Sequence, residues 1–120
     1  MNDNGVEWLP TVLPIAIKVY PYEARLLEQF VRVIRDNVHE LQGQSSNTHI
    51  VLAEWYNNKY LAAYLRIKRG SPNIPKKLDI PISAARILMT EMTNSVIPER
   101  LNMVLGQIHR QLTNRNFLPE

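Results

Sequence analysis

The sequence predicts a mainly α-helical domain of four helices, with at most one short two-stranded β ribbon. Over long segments, apolar residues recur at steps of three and four, which is the period of an amphipathic helix. Two short stretches alternate with the period of a strand. The chain has 120 residues, 45% apolar and 21% charged, which is typical of one globular domain. The predicted helices cover residues 22–42, 48–68, 83–93 and 97–113, and the predicted strands lie near 15–19 and 78–82.

Prolines mark both predicted strands. The first strand lies between Pro14 and Pro21, and the second contains Pro81. Because proline cannot donate a ladder hydrogen bond, both strands are expected at an edge of a sheet.

The first predicted helix carries a single apolar stripe. On its polar face, Glu28 and Arg32 are four residues apart, in the order that favours an ion pair. Gly43 is a natural stop, and the polar loop after it can supply the cap of the next helix.

The second predicted helix, at 48–68, is apolar around much of its circumference. A helix of this kind lies centrally in the fold or is partly covered by another chain. In the alternative interpretation, Asn57-Asn58 forms a turn between two strands. We reject it, because the flanks do not alternate and the neighbouring alanines favour a helix.

The last two predicted helices are separated at Asn94-Ser95, and Pro98 suits the first turn of the fourth. Inside that helix, Gly106 costs about 1 kcal/mol relative to Ala, which indicates a close helix crossing or a backbone contact with a partner or ligand. The side chains expected to be largely buried are Phe30, Ile34, Trp55, Leu61, Leu65, Leu88, Leu101, Leu105 and Ile108.

An internal resemblance suggests two strand–helix–helix units. Ile17-Lys18-Val19 precedes Ala24-Arg25-Leu26-Leu27 by the same spacing as Leu78-Asp79-Ile80 precedes Ala85-Arg86-Ile87-Leu88. We predict that the two strands pair into a ribbon. One helical domain at 12–114 is then flanked by tails at 1–11 and 115–120. Trp8 and Phe117 are the aromatic residues of these tails that we expect to bind a partner.

The order of elements at 77–113 resembles the ribbon–helix–helix architecture of small DNA-binding dimers. That architecture reads DNA through alternate strand side chains, which here are Lys77, Asp79 and Pro81. An acid facing phosphates and a proline within the ladder both depart from it, and we do not assign the chain to that family.

Little in the sequence points to catalysis. Cysteine is absent, which excludes thiolate metal sites and cysteine nucleophiles, and the four glycines form no phosphate-binding loop. The histidines, His39, His49 and His109, lack the spacing of metal ligands. Glu54, within an apolar run, is the one carboxylate that would be functional if buried. We therefore predict no enzymatic activity, no metal and no cofactor.

Three tyrosines of the second helix are predicted to form a protein interface. Tyr56, Tyr60 and Tyr64 follow each other at four-residue steps and so form one ridge. Tyrosine combines an apolar body with a polar tip, which suits interfaces, although a core position is the alternative. The leading prediction is a non-enzymatic protein-interaction or assembly module that binds itself or another protein.

The basic stretch at 66–77, within a longer run that lacks acids, supports the runner-up, a nucleic-acid-binding protein. Between residues 59 and 77 there are six basic residues and no acid: Lys59, Arg66, Lys68, Arg69, Lys76 and Lys77. Such a patch suits phosphates, an acidic protein surface or plain solvation. No apolar run is long enough to span a membrane, and no signal peptide is evident, so we expect a cytoplasmic protein without a membrane partner.

Overall fold

Four helical segments and two short strands make up the structure, a computed structural model that describes residues 13–41 and 45–115. In chain order the elements are β1 (Ile15–Val19), α1 (Pro21–Leu41), α2 (Asn47–Trp55), a π-helical turn (Tyr56–Tyr60), α3 (Leu61–Lys68), β2 (Lys76–Ile80), α4 (Ile82–Thr93) and α5 (Glu99–Asn114). Since α2, the π turn and α3 run on without a break, we call them together the rod. Of the described residues, 71% are helical, and the predicted fold class is confirmed.

The two strands form an antiparallel ribbon, with Ile17 opposite Leu78 at its centre. Side chains on one face of the ribbon are buried in the core, whereas Lys18, Lys77 and Asp79 on the other face are exposed. The alternation seen in the sequence is therefore the alternation between core and solvent.

The predicted second strand is placed two residues too late. β2 ends at Ile80, and Pro81 lies beyond the last paired residue, where it caps α4. Pro81 therefore does not interrupt the ribbon, because its missing N–H falls in the first turn of a helix, where no partner is needed.

The two predicted strand–helix–helix units are present and meet at the ribbon. Ile17 and Leu78, which correspond to each other in the repeat, are also directly opposite each other, as a two-fold relation between the units requires. The corresponding alanines of the first helices, Ala24 and Ala85, are both buried. The second helices differ, because the rod contains a π turn whereas α5 is regular.

The helices enclose one core. α1 packs against the rod, β1 and α5, while α4 packs against α2 and α5. Five of the predicted core residues are buried: Ile34, Trp55, Leu88, Leu101 and Ile108. Phe30 and Leu105 are half-buried and pack against this core.

Two core predictions are wrong. Leu61 and Leu65 are 36% and 39% exposed, while Ile67 is fully buried. The cause is the π turn, in which the N–H of Leu61 bonds to the carbonyl of Tyr56, five residues earlier. This insertion turns α3 relative to the register that an uninterrupted α-helix would give.

The prediction that Gly106 marks a close helix crossing is also wrong. Gly106 is exposed, and a Cβ added there would meet no described atom within 4 Å. Within the described residues, this glycine therefore has no packing role.

The predicted tails lie mostly outside the described residues, as do Trp8 and Phe117. Arg115 is an exception, because its guanidinium donates hydrogen bonds to the carbonyls of Leu13 and Pro14. This contact joins the two ends of the described fold. Of the described helices, none has the length and apolar character that crossing a membrane requires.

Candidate functional site at the edge of the ribbon

A cleft of about 320 Å³ lies between the rod and β2. Its charged lining comes from Lys59 and Arg66 on the rod and from Lys77 and Asp79 on β2. Trp55, Tyr60, Ala63 and Leu78 supply the less polar part. We call this feature the basic cleft, since three cations and one carboxylate surround it.

Tyrosine hydroxyls anchor the rod side of the cleft to α1. The Tyr56 hydroxyl donates to the Glu28 carboxylate at 2.7 Å, and the Tyr60 hydroxyl donates to the Ala24 carbonyl at 2.7 Å. The Trp55 ring stacks on Tyr60 with a centroid distance of 4.9 Å. These contacts fix the π turn, and thereby Lys59 within it, relative to the rest of the fold.

The predicted tyrosine interface needs correction. Tyr56 and Tyr60 are 2% and 0% exposed, so they are core residues of the single chain and offer no surface to a partner. Tyr56 and Tyr60 do lie on one side of the rod, but that side faces α1. Their hydroxyls donate hydrogen bonds to acceptors on α1. Tyr64 is half-buried, and its role in an interface stays a prediction.

The two buried hydroxyls are held in their neutral form. Burial raises the pKa of Tyr56 to about 12, and the hydrogen bond to Glu28 acts in the same direction. Burial also raises the pKa of Tyr60 well above its ordinary value of 10.0. Both groups therefore remain hydrogen-bond donors across the physiological range, and neither is suited to act as a base.

The backbone groups on the two outer edges of the ribbon have different hydrogen-bond partners. On β1, the Gln107 side chain accepts from the Lys18 N–H at 3.0 Å and donates to the Lys18 carbonyl at 2.8 Å, so both outward backbone groups of this residue are bonded. The Lys18 backbone thus points away from β2, so the pair Lys18–Lys77 is a non-hydrogen-bonded one. It follows that the backbone groups of Lys77 and of Asp79, two residues on, point outward along the edge beside the cleft.

The outer edge of β2 is largely open. The Lys77 carbonyl accepts a long bond of 3.3 Å from Arg66. Within the described residues, the Lys77 N–H and the two backbone groups of Asp79 have no protein partner. An exposed row of such groups is a template for another strand.

The electrostatics of the cleft favour anions. Lys77 lies 3.7 Å from Asp79, and no other described carboxylate lies within 4 Å of Lys59, Arg66 or Lys77. Lys18 faces Lys77 across the ribbon, which places two like charges opposite each other at some cost in stability. An anion in the cleft would offset this repulsion.

The remaining residues of the basic stretch lie elsewhere. Lys68 sits over the Tyr64 ring at 5.5 Å, and Arg69 is exposed at the end of the rod. The Lys76 side chain lies against Gly70, where a Cβ would come within 2.8 Å of its Cε. Three of the six predicted nucleic-acid contacts thus converge on the cleft, and three do not line it.

Some important residues were missed from the sequence. Lys18 was left out of the basic group, although the strand alternation and the repeat together place it opposite Lys77. Gln107 gave no signal, because a single amide on the polar face of a helix is unremarkable. The buried carboxylates are Glu23 and Glu28, whereas Glu54 is exposed.

Glu28 and Glu23 serve structural contacts. Glu28 pairs with Arg32 at 3.0 Å, as the sequence spacing indicates, and also accepts from Tyr56. Glu23 accepts from the Tyr20 N–H at 3.0 Å and from Arg100 at 3.2 Å. Both carboxylates thus link α1 to neighbouring elements or to the next turn of α1.

A second pocket, of about 360 Å³, lies between the start of the rod and α4 and is lined by Thr48, Arg86 and Glu91 among others. The His49 imidazole is 3.2 Å from Glu91 beside it. His39 and His109 are exposed and remote from such a pairing. In the described part of the chain, no group of three or more His, Asp or Glu residues is arranged to hold a metal ion.

Comparisons with protein-family models, with curated proteins and with solved structures found no match to this chain.

Proposed function

We propose that this protein is a non-enzymatic protein-interaction module whose basic cleft receives a negatively charged segment of a partner protein. The observation that carries the proposal is the convergence of Lys59, Arg66 and Lys77 on one cleft. Such a site is complementary in charge to an acidic segment of a polypeptide.

The composition of the cleft favours a polypeptide over nucleic acid. Asp79 is exposed beside Lys77, and a carboxylate there would repel a phosphate backbone. A polypeptide avoids this repulsion, because its charges are spaced and can be set against the cations alone. The aromatic rings of the cleft, Trp55 and Tyr60, are buried and offer no exposed face for stacking on bases.

Binding of labelled probes tests this proposal. The probes are a short peptide of alternating glutamate and valine, the same peptide with lysine in place of glutamate, and a single-stranded oligonucleotide. We expect fluorescence anisotropy to show the glutamate peptide bound, the lysine peptide unbound, and the oligonucleotide bound more weakly than the glutamate peptide.

Matched variants locate the site. Lys59→Gln with Lys77→Gln removes two charges from the cleft, and Arg25→Gln with Arg110→Gln removes two from exposed positions outside it. We expect the cleft variant to weaken peptide binding about three- to tenfold, since each rim charge contributes a fraction of a kcal/mol. Equal losses in the two variants, or no binding of the glutamate peptide, would contradict the proposal.

Nucleic-acid binding is the second candidate. It is favoured by the six basic residues and the absence of acids between residues 59 and 77. It would replace the first if the oligonucleotide binds more tightly than the peptide and its affinity falls steeply between about 50 and 200 mM salt, as counterion release requires.

Self-association is an additional prediction, supported by exposed leucines of α3, because Tyr56 and Tyr60 are buried. Leu61 and Leu65 are four residues apart on α3 and partly exposed. Light scattering tests it directly: a dimer that Leu61→Ser with Leu65→Ser converts to a monomer supports self-association, and a wild-type monomer at high concentration removes it.

A further inference from the structure

We infer that the partner segment binds as an extended strand that pairs with the open edge of β2, making the ribbon three-stranded. This inference rests on the proposed function and adds the binding mode. Its independent basis is the backbone of the ribbon, whereas the proposed function depends on side-chain charge.

The contrast between the two edges is the first argument. The units of the repeat are related through the ribbon, yet only the β1 edge carries a side chain that bonds both backbone groups of one residue, Gln107 on Lys18. The β2 edge has a single long bond from the exposed Arg66. A contact of 3.3 Å is readily exchanged for a shorter backbone bond.

The position of the open groups is the second argument. Lys77 and Asp79, whose backbone groups point outward, are also the residues of β2 that line the basic cleft with their neighbour Leu78. A strand entering the cleft would therefore meet backbone donors and acceptors on one side and Lys59 and Arg66 on the other. Main-chain bonds then supply affinity and the cations select for acidic side chains.

The chemistry of the occupant follows from these features. The chain must be extended, because only extended backbone matches the spacing of the edge groups. It should carry glutamate or aspartate at alternate positions, since side chains of a strand alternate between two faces and the cations lie around one cleft. Small apolar residues between them suit Ala63, which is half-buried at the cleft.

The test compares Lys77→Pro with Lys77→Gln, using the alternating glutamate–valine peptide as probe. Both variants remove the charge, but only proline removes the outward N–H, and proline is tolerated at an edge where its N–H side faces away from the ladder. We expect Lys77→Pro to bind at least about tenfold more weakly than Lys77→Gln, because it loses a backbone bond and its ring obstructs the added strand. Equal binding by the two variants would overturn the inference and leave the proposed function intact.

A second arm leaves the protein unchanged, in case Lys77→Pro does not fold. The peptide is N-methylated either at its odd or at its even residues, so that one version loses the amides of one edge and the other those of the opposite edge. Pairing with β2 requires that one version fails to bind and the other binds like the parent peptide. Equal affinities of the two methylated peptides would contradict strand addition. Failure of the unmethylated parent peptide to bind would contradict the proposed function.

Discussion

Tyr60 is one of the buried side chains that join the rod to α1. It is fully buried, and its hydroxyl donates to the Ala24 carbonyl. We expect Tyr60→Phe to lower the free energy of unfolding by about 1 kcal/mol, the usual value for one hydrogen bond. Tyr60→Glu should unfold the chain, because it buries an unpaired charge. Circular dichroism with urea titration measures both, and Tyr64→Glu, at a half-buried site, is the control that should stay folded.

The buried tyrosines also predict a pH dependence. Burial raises the pKa of Tyr56 to about 12 and that of Tyr60 above 10.0, so the folded state holds these protons more tightly than the unfolded state. Their contribution to stability is therefore complete below about pH 10 and is lost as the pH rises towards 12. Urea titrations across this range should show a shallower loss for Tyr56→Phe than for wild type, and equal slopes would contradict the prediction.

At Gly106 the structure predicts a stabilising substitution. The residue lies in the interior of α5, is exposed, and leaves open space within the described part of the chain where a Cβ would be. Gly106→Ala should raise the free energy of unfolding by about 1 kcal/mol, the difference in helix propensity. A loss of stability on thermal unfolding would contradict the prediction and would mean that another part of the protein covers this position.

At the scale of elements, the π turn decides which face of α3 is buried. Ile67→Ala should cost about 2–5 kcal/mol, as for a buried aliphatic side chain, while Leu65→Ala should cost less than about 1 kcal/mol. The two variants delete side chains of similar size two residues apart, which makes each the control for the other. A larger loss for Leu65→Ala in urea titration would show that α3 continues the register of a regular α-helix.

The elements themselves were largely predictable from the sequence. Each predicted helix lies within two residues of its observed bounds, because the three- and four-residue period and the break at Asn94-Ser95 are strong local signals. The predicted stop at Gly43 lies outside the described residues. The pairing of the strands followed from the repeat. The rod was placed correctly, but its apolar residues surround it, so the sequence did not indicate which of them face α1.

The candidate site was less predictable, for a physical reason. Lys59, Arg66 and Lys77 belong to a basic stretch visible in the sequence, but their convergence depends on the π turn and on the position of β2. The bonding of Gln107 to the Lys18 backbone is a contact across the fold between residues 89 positions apart. Such contacts leave no periodic pattern in the sequence. The tyrosine ridge was predicted to be an interface because the sequence does not show that Glu28 and the Ala24 carbonyl accept hydrogen bonds from the Tyr56 and Tyr60 hydroxyls.

At the scale of the whole molecule, two similar units produce an asymmetric surface. The ribbon relates β1 to β2, yet Gln107 of α5 bonds both backbone groups of Lys18 on one outer edge, while the other edge, beside three cations, receives one long bond from Arg66. An exposed strand edge can pair with another strand. Under the proposed function, the partner segment pairs with this second edge, where the second unit departs from the first.

Amide hydrogen exchange along the ribbon, read residue by residue by NMR, tests this claim most directly. In the free protein, the amides of Lys18, Leu78 and Ile80 should exchange slowly and those of Lys77 and Asp79 rapidly, since only the latter point to the open edge. On addition of the alternating glutamate–valine peptide, the amides of Lys77 and Asp79 should become protected while the others stay as they were. Slow exchange at Lys77 and Asp79 in the free protein, or no change at these two amides when the peptide is bound, would contradict a binding edge at β2.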